Sequence, residues 1–324
     1  RFWLSGEYVA EMSDAAGTSW LDVKKRDWSD ALLAATGLDR SHMPRLVEGS
    51  EISGKLKDSL AAKWGMSKGV IIAGGGGDNA ASAIGVGVVN AGDAFVSLGT
   101  SGVLFAASNS YQPDPASAVH TFCHALPDTW HQMGVILAAT DAMNWFSRIL
   151  NSSAEEMTNN LGSLQAPSNT LFLPYLGGER TPHNDAVIRA SFINLDHNTD
   201  QKKMIRAVIE GVTFAIRDSF DALSSTGTNI ERLIAVGGGA KSEYWVQAIA
   251  TSLGKPISIP VSGDFGGAFG AARLGMIAHG FNRSDVAVFP KIEKIIEPVM
   301  PLHDDFMSAL NSYRATYKAL KSIT

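Results

Sequence analysis

Three glycine-rich corners carry the residues of this chain that could do chemistry. In the first, the apolar run VIIA at 70–73 leads into Gly74, Gly75, Gly76 and Gly77, then into Asp78 and Asn79 ahead of a helix-like segment. Glycines remove side chains from a turn and let another group approach the backbone, which would leave the Asp78 carboxylate facing a cleft. Asp at a helix start is equally well read as an N-cap, and this fragment alone does not choose between the two. The second corner, Gly99-Thr100-Ser101-Gly102, offers backbone amides and two hydroxyls, as a phosphate nest or a plain hairpin turn would. In the third, IAVGGGAKSEYW, a strand ends in Gly237, Gly238, Gly239 and Ala240 before a helix begins. That order aims amides and a positive helix end at an anion, or simply makes a tight connection.

Other motif matches fail on context. Gly49 to Lys55 nearly spells a P-loop, but Leu56 stands where a magnesium-holding hydroxyl belongs and no apolar strand precedes it. Gly65-Met-Ser67-Lys-Gly69 spells a nucleophile elbow with helix and strand in reversed order. Gly75, Gly77 and Ala80 match a dinucleotide fingerprint, yet the next strand ends Ser97-Leu98-Gly99-Thr100 without the acidic residue that would hold a ribose. His120, Cys123 and His124 resemble metal ligands, but on a strand the histidines share one face and the cysteine takes the other. A packed core strand is expected there, and no metal site.

The elements that must position the corners follow from periodicity. Apolar runs predict strands at 94–98 and 103–107 as a hairpin, and at 119–125 and 131–138. Helices are predicted from Asn79 to Val88, through Trp145, over 204–223, over 242–253 and from Phe265 to Gly280. In the long one, Ile205, Val208, Ile209, Val212, Ile216, Phe220 and Leu223 form a single stripe. The order of strands and helices gives an α/β protein. A terminal amphipathic segment, LHDDFMSALNSYRATYKAL, is expected to dock on its own domain, with a homodimer as the alternative.

The 324 residues suggest two domains, and 27 basic against 32 acidic residues leave a net charge of -5. That balance argues against nucleic acid as a partner, while small anions remain open to local amides. No run approaches a membrane span, and the single cysteine fits a reducing, cytoplasmic setting. The first residues lack an initiator Met and a signal-peptide pattern, and read as though cut from something longer.

Taken in order, RFWLSGEYVAEMSDAAGTSWLDVKKRDWSD, GGGGDNAASAIGVG, SLGTSG, HTFCHALPDTW, FLPYLGGERTPHND, RAVIEG and GGGAKSEYWVQ resemble the FGGY carbohydrate kinases, closest to members acting on D-xylulose. The resemblance implies a ribonuclease-H-like fold of the actin and hexokinase superfamily, with ATP, Mg2+ and a sugar as ligands. It implies an N-terminal domain remainder over 1–92 and a nucleotide-binding domain over 93–324. By the same resemblance Asp78 is the general base and Asn79 contacts sugar. Gly99, Thr100 and Ser101 lie at the phosphates, and Gly238, Gly239, Ala240 and Ser242, with Asn144, hold the nucleoside. Gly178, Glu179 and Arg180 receive no role, a turn and a phosphate contact being equally open. The family signature expects Gly at Asn194 and a hydrogen-bonding or acidic residue at Lys203, though Met204, Ala207 and Glu210 match it. The family's opening Asp-Gly-Thr loop is not found, so the first domain is expected to be mostly missing and the chain inactive alone.

Overall fold

The computed structural model describes residues 1–261 and 266–323. Before residue 78 the chain forms short helices and small two-stranded sheets, among them β1 (Val9–Glu11) parallel to β2 (Arg45–Val47) and β3 (Ile52–Lys55) antiparallel to β4 (Ile71–Ala73). Helix α1 (Asp78–Gly85) leads out of the first glycine corner. It stops short of the expected Val88 because Gly87 turns left-handed at φ 72° and lies against the Val288–Phe289 backbone, where a Cβ would meet atoms at 2.4–2.5 Å.

Most later strands build one sheet: β5 (Asp93–Leu98), β6 (Gly102–Ser108), β7 (His120–Cys123), β8 (Trp130–Ile136), β9 (Arg232–Val236), β10 (Ile257–Pro260) and β11 (Ile292–Ile296), while Leu171–Leu173 and Ser191–Ile193 pair antiparallel apart from it. The strands of the sheet lie side by side as β11-β10-β9-β5-β6-β8-β7. β5, β6, β8 and β7 pair antiparallel, whereas β9 runs parallel to both β5 and β10. A meander flanked by parallel strands on the far side of its first strand is the ribonuclease-H-like arrangement expected above. All four strands predicted between 94 and 138 are present.

β5 shows why the sheet is buried on both faces. Ala94, Val96 and Leu98 enter the larger core with Val208, Val212 and Ile249, while Phe95 enters a second cluster with Phe105, Met133, Ile234 and Val88. The larger core is covered by α2 (Thr140–Leu150), α3 (Gln201–Ser225) and α4 (Glu243–Leu253). Asp200 caps α3 by accepting from the Lys203 amide at 2.8 Å. The predicted stripe is buried except for the half-buried Phe220, and Phe214, Asp218 and Ser219 are buried as well. Two faces of α3 are covered because α6 (His303–Lys321) docks behind it through Phe306, Leu310 and Tyr313, with Arg314 on Asp218 at 2.6 Å. The terminal helix thus packs on its own domain. Among the described residues no helix is long and apolar enough to cross a membrane.

Helix α5 (Gly267–Ala278) lies on α1. Its expected start at Phe265 falls outside the described residues. The two backbones touch: a Cβ on Gly270 would stand 1.7 Å from the Ala81 carbonyl oxygen. The buried Arg273 guanidinium donates to the Ile84, Gly85 and Val288 carbonyls at 2.8–3.0 Å, closing the far end of α1. Gly270→Ala should therefore force the helices apart and cost about 1–3 kcal/mol, read as a lowered Tm.

Burial raises the carboxyl of Glu210 on α3 to about 7, against the attraction of Arg206. The folded state then keeps a proton that the unfolded chain has lost above its ordinary value of 4.5, so stability falls as pH rises from about 4.5 to 7. Glu210→Gln should lack this term, and its Tm relative to the parent should climb across that window. A parallel pair of Tm-versus-pH curves would refute it.

Candidate functional site

The parallel pairing of β5 with β9 sets Ser97 opposite Val236, so the second and third glycine corners leave the sheet side by side. They interlock directly. Gly237 turns left-handed at φ 89°, and a Cβ there would meet the Leu98 carbonyl oxygen at 2.8 Å. Gly239 is buried, and its Cβ would lie 2.8 Å from Leu98 Cβ and 3.2 Å from Thr140 Cγ2. The start of α2 closes the group: the Thr140 amide and hydroxyl donate to the Gly99 carbonyl at 2.9 and 2.8 Å, and the Ala139 amide to the Thr100 carbonyl at 2.9 Å. Thr100 and Ser101 are left exposed at the tip.

A cavity of about 940 Å³ opens beside this edge. Its walls include Phe95, Val236, Val246, Ile259 and Ile296, with Lys241, Glu243, Glu293 and Lys294 among its polar residues. The volume and the mixture of apolar wall and few charges suit a nucleotide-sized ligand. Asn79 at the start of α1 and Gly237 and Ala240 of the third corner line the same space, which brings the first and third corners together. Asp78 is exposed beside Asn79, and its Oδ1 accepts from the Asn79 amide at 2.7 Å and from Nδ2 at 3.1 Å. The N-cap position belongs to Gly77, so Asp78 stands one residue inside the helix.

Other expected residues do not line the cavity. Gly238 is exposed, with nothing within 4 Å of a built Cβ. Ser242 caps α4, its hydroxyl accepting from the Trp245 amide at 3.4 Å. Asn144 sits on the exposed side of α2.

The four glycines of the first corner are approached by the chain itself. A Cβ on Gly74 would stand 2.1 Å from the Glu48 carbonyl, and one on Gly49 2.4 Å from the Gly75 carbonyl. The Gly77 amide donates to Ser13 Oγ at 3.0 Å, and that hydroxyl donates to Glu11 at 2.6 Å. Burial pushes Glu11 up to about 7, against the hydrogen bonds from Ser13 and Asp14. Gly49 thus belongs to a packed joint and cradles no phosphate. Sequence reasoning missed Ser13 and Thr140, whose partners Gly77 and Gly99 lie far along the chain, and with Ser13 it missed the Glu11 that holds it.

Glu179 is buried, and its Oε1 accepts from the Leu137 amide at 2.9 Å and the Arg180 amide at 2.7 Å. It pins the exit of β8 just before α2, a structural role for a segment left unassigned. Asn194 adopts a left-handed φ of 59°, which explains why the family uses Gly there and why Asn is tolerated. Cys123 packs with Met12, Trp28 and Leu33, whereas His124 Nε2 meets the Val88 carbonyl at 3.1 Å. The two do not converge. Among the described residues no three His, Cys, Asp or Glu side chains gather as a metal site.

The C-terminal domain profile of the FGGY family of carbohydrate kinases matches residues 94–279, and its N-terminal domain profile matches 1–85. A xylulose kinase of Escherichia coli K12 is 45% identical over 300 residues, covering 90% of this chain and 60% of that protein. One from Klebsiella pneumoniae is 42% identical, covering 86% and 58%. A crystal structure titled as a "xyloylose kinase" from Brucella ovis superposes with a TM-score of 0.98 at 56% identity, covering 100% of this chain and 67% of the other. The chain therefore spans about 60% of the length of the first of these relatives. The match over 1–85 gives no support to the expectations of a mostly missing first domain and an inactive chain. With both domain profiles matched, the chain belongs to the FGGY family of carbohydrate kinases.

Proposed function

We propose that the protein is an ATP-dependent kinase converting D-xylulose to D-xylulose 5-phosphate. The observation that carries this reading is the exposed Asp78 carboxylate next to Asn79, the residue that lines a cavity together with Gly237 and Ala240. The named relatives from Escherichia coli, Klebsiella pneumoniae and Brucella ovis support the choice of a pentulose.

In this reading residues 93–324 form the nucleotide-binding domain and residues 1–92 the N-terminal part. The nucleoside enters the cavity against Gly238, Gly239, Ala240 and Ser242, with Asn144 nearby, and the phosphates extend toward Gly99, Thr100 and Ser101. Asp78 takes the proton of the sugar 5-hydroxyl as that oxygen bonds to the terminal phosphorus and the bond to the departing ADP oxygen breaks. Asn79 engages the sugar and holds the Asp78 carboxylate through the amide contacts described above. Such transfer needs positioning and charge neutralisation more than covalent catalysis, and Mg2+ bound with ATP supplies neutralisation at the phosphates.

Asp78→Asn should lower kcat by about 100- to 10,000-fold while leaving ATP affinity nearly unchanged, measured by coupled assay and calorimetry. Normal turnover in that variant would remove Asp78 from the role of base. A panel of D-xylulose, ribulose, gluconate and glycerol tests the substrate, and preference for any of the last three would replace it. ATP hydrolysis indifferent to every sugar would instead favour a conformational nucleotide-binding module.

A further inference from the structure

The first glycine corner poses a mechanical problem. Glycine φ and ψ are soft, so a base mounted directly after four of them needs something else to fix its direction. Gly77, the N-cap of α1, has no side chain to brace the first turn.

A buried pair of side chains from the opposite segment meets that need. Ser13 and Glu11 are 5% and 3% exposed, on the turn Met12–Ala15 and at the end of β1. The Glu11 carboxylate accepts from the Ser13 amide at 2.9 Å, the Asp14 amide at 3.0 Å and the Ser13 hydroxyl at 2.6 Å. With its proton committed to a carboxylate, the hydroxyl has only lone pairs to offer the other way. There it receives the Gly77 amide at 3.0 Å, fixing the Gly76–Gly77 peptide plane, one peptide ahead of the link into Asp78. Cβ atoms built on Gly76 and Gly77 would lie 3.6 and 3.7 Å from Ser13 Oγ, and the one on Gly77 3.7 Å from Asp14 Cα, ordinary contact distances that place Ser13 directly against this turn.

We propose that Ser13, oriented by Glu11, is a positioning residue for the kinase, holding the Gly77 amide so that the Asp78 carboxylate points at the acceptor hydroxyl. The inference rests on the reading of Asp78 as the base. Neither residue touches nucleotide in this arrangement, so their loss acts on the chemical step and spares nucleotide binding.

The test uses the whole chain with Ser13→Ala, Ser13→Thr, Glu11→Gln, Asp78→Asn and the Ser13→Ala/Asp78→Asn pair, each checked for folding by circular dichroism and Tm. Misplacement of a reacting group by about an ångström can cost up to about 100-fold, so Ser13→Ala should lower kcat by about 10- to 100-fold with KM for ATP within about twofold. Ser13→Thr, which keeps the hydroxyl, should recover most of that loss. Added to Asp78→Asn, Ser13→Ala should cost little more, because the two act as a unit. A folded Ser13→Ala enzyme with unchanged kcat, a threonine variant no better than alanine, or an equal loss on the Asp78→Asn background would overturn the proposal. Should Ser13→Ala not fold, Glu11→Gln decides, with a lowered kcat at constant KM supporting the relay and an unchanged kcat refuting it. Wild-type turnover in Asp78→Asn would instead sink the base assignment and the relay with it, whereas a crippled Asp78→Asn beside a normal Ser13→Ala sinks the relay alone.

Discussion

The parallel hydrogen bonding of β5 to β9 is the constraint on which the rest depends. Parallel neighbours end at the same edge of a sheet, so whatever follows each strand must emerge there together. Ser97 opposite Val236 fixes the register, and Gly99–Ser101 and Gly237–Ala240 become neighbours although more than a hundred positions apart in sequence. Ligands of open α/β sheets collect at such carboxyl ends, where amides and helix starts converge with no strand left to use them. An antiparallel β9 would send its glycines to the far edge and leave the cavity without its floor.

A second constraint brings Asp78 to that edge. Helix α1 belongs to neither meander nor parallel pair, and it is held by backbone contact with α5, where Gly270 meets the Ala81 carbonyl. Small residues serve here as a means of close approach. The chain thereby clamps a carboxylate from one segment against a cavity built by another, while residues 1–77 hold the preceding turn through Ser13 and Glu48.

Much of this was legible in the sequence because local pattern dictated it. Apolar runs gave β5, β6, β8 and β9 within a residue or two, and the stripe from Ile205 to Leu223 marked α3, with the extra burial of Phe214 and Asp218 arising from α6 behind it. The reversed context of Gly65–Gly69 and the divergence of Cys123 from His124 also followed from local geometry. What stayed hidden was long-range. Nothing near Ser13 signals that its hydroxyl meets the Gly77 amide, and nothing near Glu179 points to the Leu137 amide. The first glycine run was read as letting another group approach the backbone, and the groups that do so include Glu48 and Ser13 of the same chain, because sequence shows that a backbone is bare without showing what comes against it.

Arg273 has a consequence for how α1 can move. Its guanidinium satisfies the Ile84 and Gly85 carbonyls and that of Val288 beyond them, so turning or sliding this end of the helix would strand several acceptors in a dry interior. The opposite end is tied as well, where the Gly77 amide meets Ser13 Oγ, so the two ends of the helix are moored to different segments of the chain, the N-terminal segment at one and α5 at the other.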